Sequence, residues 1–115
     1  MVVLSVDVLF DAAVRIQLAE RSISITFVQD EIRIKFPTTR RLAEFLEVPH
    51  YYVLPYFAMM EQEELVTRAE RVGIMTTAKG SRKMIGLMKD KYLKETEDIL
   101  GIPVFQEFIK KFFSQ

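Results

Sequence analysis

The stretch "RRLAEFLEVPHYYVLPYFAMMEQEELVTR" (residues 40–68) decides how the rest of the chain is read. Leu42, Ala43, Phe45 and Leu46 fall at helical spacing, and Val48-Pro49 breaks the pattern. Val53, Phe57 and Met60 resume it. After the acidic run 61–64 the apolar pair Leu65-Val66 turns extended. The order helix, break, helix, strand follows. The second helix raises a question of its own. Its leading segment "PHYYVLP" holds two prolines, two tyrosines and a histidine, but no lysine or arginine.

Pro55 constrains that segment before any function does. In a helix beginning at Pro49 it is interior, where proline loses a hydrogen bond and clashes with the preceding turn, at a cost of ~3 kcal/mol. Two arrangements avoid this cost. Either the helix starts nearer Leu54, or residues 49–53 form a separate short turn with a kink after it. Both leave His50, Tyr51 and Tyr52 at the leading edge.

Upstream, residues 5–21 read as a helix that is apolar over most of its circumference, with Asp7, Asp11 and Arg15 as a narrow polar stripe. Ile23, Ile25 and Phe27 alternate with polar residues, as do Ile32, Ile34 and Phe36, which predicts two strands with one buried face and a turn at 29–31. Pro37 ends the second strand, and Thr38 or Thr39 caps the next helix. Downstream, strands at about 65–69 and 73–76 pair across a turn. Thr77 caps a long helix to Leu100, spanning roughly 35 Å at 1.5 Å per residue. Gly101 then fits a helix end, and Pro103 the first turn of a last helix carrying Phe105, Phe108, Ile109, Phe112 and Phe113.

The chain has 115 residues, 50% of them hydrophobic, which suits one domain with its own core. Sixteen basic residues balance sixteen acidic ones, so overall charge announces no polyanionic partner. Without cysteine, and with one histidine, disulfides, thiolate metal sites and multi-histidine metal sites within one chain are excluded. The start, "MVVLSVDVLFDAAVR", carries Asp7, Asp11 and Arg15 and reads as neither a signal peptide nor a membrane span. A cytoplasmic protein without membrane contact or cofactor is expected. The lack of Cys and Trp beside abundant Ile, Val, Lys, Arg and Glu matches thermophile composition.

The element order, with "LAEFLEV" at 42–48, Val53, Phe57, Met60, Leu65-Val66 and Arg68, and "TTAKG" at 76–80, resembles the winged helix-turn-helix of MarR- and PadR-type transcription regulators. The match covers about residues 36–81 and consists mostly of packing positions. Glu64 stands where the family usually has glycine, and Pro55 where it often has a DNA-contacting side chain. The resemblance implies a mainly α fold with a small β component: a single winged-helix domain over 1–115. Extra N-terminal (1–22) and C-terminal (77–113) helices would serve dimerisation, and the source would be a prokaryote, an archaeon or an archaeal virus.

It further implies double-stranded DNA as partner. His50, Tyr51 and Tyr52 would meet bases or groove walls. Arg40, Arg41, Arg68 and Arg71, with Lys79, Arg82 and Lys83 beyond, would supply charge toward phosphates. The acidic residues Glu61, Glu63 and Glu64 lie toward the other end of the second helix, so the charges are read as spatially sorted. The plainer readings stand beside this: core or interface tyrosines, a capping histidine, solvated arginines. "VFQEFIKKFF" is read as too aromatic for an exposed monomer surface, which favours a two-fold dimer over fold-back onto the first helix. Ser, Thr and His show no triad-like pattern, and Gly80 lies in no phosphate-cradling loop, so no enzyme is expected. A homodimeric transcriptional regulator is the leading reading. A protein-interaction module on the same fold, from replication, transcription or membrane-remodelling machinery, is the alternative.

Overall fold

In the computed structural model, which describes residues 3–113, the chain is mainly helical with two β-hairpins. α1 (Val6–Glu20) is followed by β1 (Ile25–Val28), β2 (Glu31–Ile34), α2 (Thr39–Leu46) and α3 (His50–Gln62). Then come β3 (Val66–Ala69), β4 (Gly73–Thr76), α4 (Ala78–Lys91), α5 (Leu93–Leu100) and α6 (Ile102–Phe113).

Local chemistry sets most boundaries. Ser5, Thr38 and Thr77 cap α1, α2 and α4, each hydroxyl accepting from a backbone N–H three residues on. Gln29 and Asp30 both adopt positive φ, 48° and 69°, so a two-residue turn closes β1 on β2 without the Asn-Gly pair usual there. Glu64 takes the left-handed conformation, φ 59°, in place of the glycine that the family resemblance calls for.

The hairpins join through a single bridge, Lys35 to Met75, with Phe36 N–H donating to Ile74 at 2.8 Å. A buried hydroxyl pair reinforces the seam. Thr76 Oγ1 accepts from Ile34 N–H at 2.8 Å and lies 2.6 Å from Ser81 Oγ, which donates to the Ile32 carbonyl at 2.5 Å. Three elements are thereby tied by two side chains, and the backbone groups they bind are satisfied in the interior.

The core gathers Leu9, Phe10, Val14 and Ile16 of α1 with Ile32, Ile34, Leu42, Val53, Phe57, Met60, Met84, Ile85 and Met88. α1 packs against α2, α3, α4 and α5, which explains why its sequence is apolar on nearly every side. Its polar stripe turns toward α4: Asp7 pairs with Lys83 at 2.6 Å and Asp11 with Lys91 at 2.9 Å.

Three expectations are corrected. The helix expected over 77–100 is broken at Tyr92 (φ −132°, ψ 37°), where α4 ends and α5 begins. No glycine or proline marks the break. It is held by tertiary bonds, the Tyr92 hydroxyl reaching Asp11 at 2.6 Å. Much of the aromatic C-terminal segment is covered within one chain: Phe105 and Phe108 enter the core, with Ile109 and Phe112 packed against it, while Val104 and Phe113 stay exposed. Packing within one chain therefore accounts for most of these rings. Phe27, read as facing the core, is 66% exposed, its ring tilted 44° to that of Phe108 at a centroid distance of 6.2 Å. Finally, α3 runs unbroken through Pro55, so neither arrangement that spares the proline is adopted. Val53, Phe57 and Met60, all buried, hold the helix in place despite the lost hydrogen bond.

Candidate interaction surface on the third helix

The N-termini of α2 and α3 meet at one edge, where Thr39 Oγ1 lies 2.7 Å from His50 Nε2. His50 thus braces two helix starts, and that ring nitrogen is engaged within the fold. Beside it, Tyr51 and Tyr52 are exposed, their rings edge to face at 4.7 Å. Tyr51's phenol is held above its ordinary value, first by the neighbouring Tyr52 hydroxyl.

α3 is apolar on two opposite sides. Val53, Phe57 and Met60 are buried, while Tyr51 (64% exposed), Tyr52 (51%), Leu54 (42%) and Met59 (45%) face outward with Pro55 and Ala58. At 3.6 residues per turn, the outward set forms a continuous arc of roughly 160°. A helix on a protein surface ordinarily presents charged and polar groups there. α3 carries no lysine or arginine anywhere along its length.

The cations expected to flank it are distributed over separate places. Arg41 bonds Glu20 at 3.1 Å, at the end of α1. Arg68 lies over the Phe57 ring, 4.9 Å from its centroid, and pairs with Glu61 at 3.4 Å. Lys79, Arg82 and Lys83 line an open cleft of about 980 Å³ between α1 and α4, together with Asp7, Asp11 and Arg15. There Lys79 donates to the Glu63 carbonyl at 3.0 Å, Arg82 donates to the Phe112 carbonyl, and Lys83 pairs with Asp7. Only Arg40 and Arg71 among the seven are exposed and without an ion pair or side-chain hydrogen bond among the described residues. Arg71 sits in the turn between β3 and β4 at φ 69°. Five of the seven expected cations are thus engaged by groups of the chain itself.

Sequence reasoning singled out "YYVLPYF" but not Ala58 and Met59, which complete the outward arc. The helical period marks Val53, Phe57 and Met60 as one face, and continuing it would have flagged the opposite face as apolar too. Among the described residues no cluster could hold a metal ion, and no helix is long and apolar enough to cross a membrane. No family model, no curated protein and no solved structure matches the chain.

Proposed function

We propose that the chain is a winged helix-turn-helix module that works by docking a protein on the outward face of α3. The observation that carries this reading is the cation-free apolar arc of Tyr51, Tyr52, Leu54, Pro55, Ala58 and Met59. A contiguous apolar surface on a folded chain marks a contact site, because leaving it in water forfeits about 25 cal/mol for each Å². Tyrosines suit such a site, being large, stiff and able to keep one polar end satisfied. The surrounding fold holds α3 on buried anchors, so the arc is presented without reorganisation.

A second reading, double-stranded DNA binding by a transcriptional regulator, is favoured by one specific feature. The starts of α2 and α3 share an edge with the unpaired Arg40, and the second hairpin carries the unpaired Arg71. The Arg41 and Arg68 ion pairs are solvent-exposed, and such pairs are worth only ~0–1 kcal/mol, so a phosphate could displace either carboxylate.

One pair of variants separates the readings. Duplex DNA is titrated at two salt concentrations with the native chain, with Arg68→Glu/Arg71→Glu and with Tyr51→Ala/Tyr52→Ala. The docking reading expects weak DNA binding in all three, and loss of a protein complex in the tyrosine variant alone. Tight, salt-dependent binding abolished by the arginine changes would replace it with the regulator.

A further inference from the structure

We infer that the first occupant of the α3 face is a second copy of the chain, packed antiparallel about a two-fold axis between Pro55 and Ala58. This rests on the docking reading above and adds the identity and orientation of the partner. The helical positions themselves suggest the geometry. Tyr51, Pro55, Ala58 and Gln62 run down the centre of the outward arc. A two-fold through its midpoint sets Pro55 opposite Ala58 and Tyr51 opposite Gln62. It also sets Leu54 opposite Met59 and Tyr52 opposite Glu61. The small Ala58 at the crossing permits close approach of the two helices, and the large side chains fill the flanks.

Charge chooses the direction. The far end of α3 carries Glu61, already paired with Arg68, and the exposed Glu63 and Glu64 follow at once. The near end carries the helix's positive dipole end, and Arg40 follows the Thr39 that meets His50 there. Antiparallel pairing brings each acidic end to the partner's positive end twice over, as an isologous contact requires. Parallel pairing sets one acidic run against the other. The contact is confined to one face of a single short helix from each copy, which places it among small interfaces. The association is therefore concentration-dependent rather than obligate.

The absence of native cysteine makes the test clean. Sedimentation equilibrium on the native chain is expected to give a monomer–dimer transition on the order of 10 µM. Met59→Glu, at an exposed position, is expected to weaken it at least tenfold while thermal unfolding stays unchanged. Under oxidation, Ala58→Cys is expected to cross-link with itself. Tyr51→Cys is expected to cross-link with Gln62→Cys in a mixture, and not alone. A native chain that stays monomeric to 1 mM, or Tyr51→Cys joining to itself, would overturn the antiparallel dimer. In either case a protein complex still lost in Tyr51→Ala/Tyr52→Ala leaves the docking reading standing. A dimer indifferent to Met59→Glu would place its interface off the α3 face and overturn the antiparallel dimer, while a protein complex that survives Tyr51→Ala/Tyr52→Ala would overturn the docking reading.

Discussion

Tyr92 donates a hydrogen bond to Asp11 at 2.6 Å, joining the break between α4 and α5 to the first helix. Lys91 reaches the same carboxylate oxygen at 2.9 Å. Burial alone would raise the Asp11 carboxyl. The Tyr92 hydroxyl and the Lys91 ammonium together outweigh it and hold the group below its ordinary 3.8. A depressed folded value means that Asp11 stabilises the fold above the unfolded value and that this contribution is lost as pH falls through the folded one. Native stability should therefore decline below about pH 4, and Asp11→Asn should flatten that decline in urea melts at pH 2–5. Tyr92→Phe should cost about 1–2 kcal/mol at neutral pH, by removing a bond to a charged group that is partly solvated.

The same contact makes a prediction at the alkaline end. Burial, then the Asp11 hydrogen bond, raises the Tyr92 phenol above its ordinary 10.0. A raised folded value means stability that is present below the unfolded value and vanishes as pH climbs through the folded one. Thermal melts of the native chain should fall above pH 10, and Tyr92→Phe should lose that dependence. An unchanged slope in the variant would show that other groups govern the alkaline limb.

Ser81 is fully buried and spans Thr76 and the Ile32 carbonyl. Ser81→Ala keeps the shape of the site but strips partners from both oxygens, so about 1–3 kcal/mol should be lost. Ser81→Thr adds a methyl where α4 meets the seam between the hairpins, and overpacking there should cost about as much. Denaturant melts of both variants would check this. A neutral Ser81→Ala would mean that Thr76 alone satisfies the seam.

How much of this was legible beforehand varies with the kind of signal. The first hairpin was readable because Ile32, Ile34 and Phe36 alternate, the second because the apolar pair Leu65-Val66 precedes a turn containing Gly73, and α2 and α4 because Thr38 and Thr77 cap them before periodic apolar runs. The break at Tyr92 was not readable. It is fixed by an oxygen 81 residues away in sequence, and no local breaker announces it. The unbroken α3 was missed for a related reason: local strain at Pro55 argues for a kink, and the burial of Val53, Phe57 and Met60 of the same helix in the core overrides it. At the candidate surface, Tyr51 and Tyr52 were found by composition. The burial of the C-terminal phenylalanines and the dispersal of Lys79, Arg82 and Lys83 into a cleft depend on the path of the chain, which charge counting along a line does not convey.

Glu64 holds φ 59°, and its carbonyl accepts from the Thr77 hydroxyl at 2.5 Å. A side chain in that region costs roughly 1 kcal/mol that glycine does not incur, offset in part by glycine's greater freedom when unfolded. Glu64→Gly should therefore stabilise the fold by a few tenths to about 1 kcal/mol, and Glu64→Val, branched at Cβ, should destabilise it. Thermal unfolding of the two variants side by side gives the sign directly. A stabilising Glu64→Val would mean that the turn relaxes away from the left-handed region.

Gly80 offers the sharpest packing prediction, because its neighbour is backbone. A Cβ built there would stand 1.9 Å from the Leu65 carbonyl oxygen and 3.2 Å from the Thr76 side chain. That oxygen already accepts from Thr77 N–H at 3.0 Å, so it cannot swing aside without opening the start of α4. Helix propensity by itself favours alanine over glycine by about 1 kcal/mol. The clash has the opposite sign and is larger, since relief requires moving α4 away from the backbone of Leu65, just before β3. Gly80→Ala should thus destabilise the chain by about 3 kcal/mol or more, toward the upper range of overpacking costs. Gly86→Ala supplies the contrast, its nearest neighbour being the Phe113 ring at 3.3 Å, near the chain end. That change should be mild, and a comparable loss at both glycines would show that the tight approach of α4 to Leu65 is not what Gly80 protects.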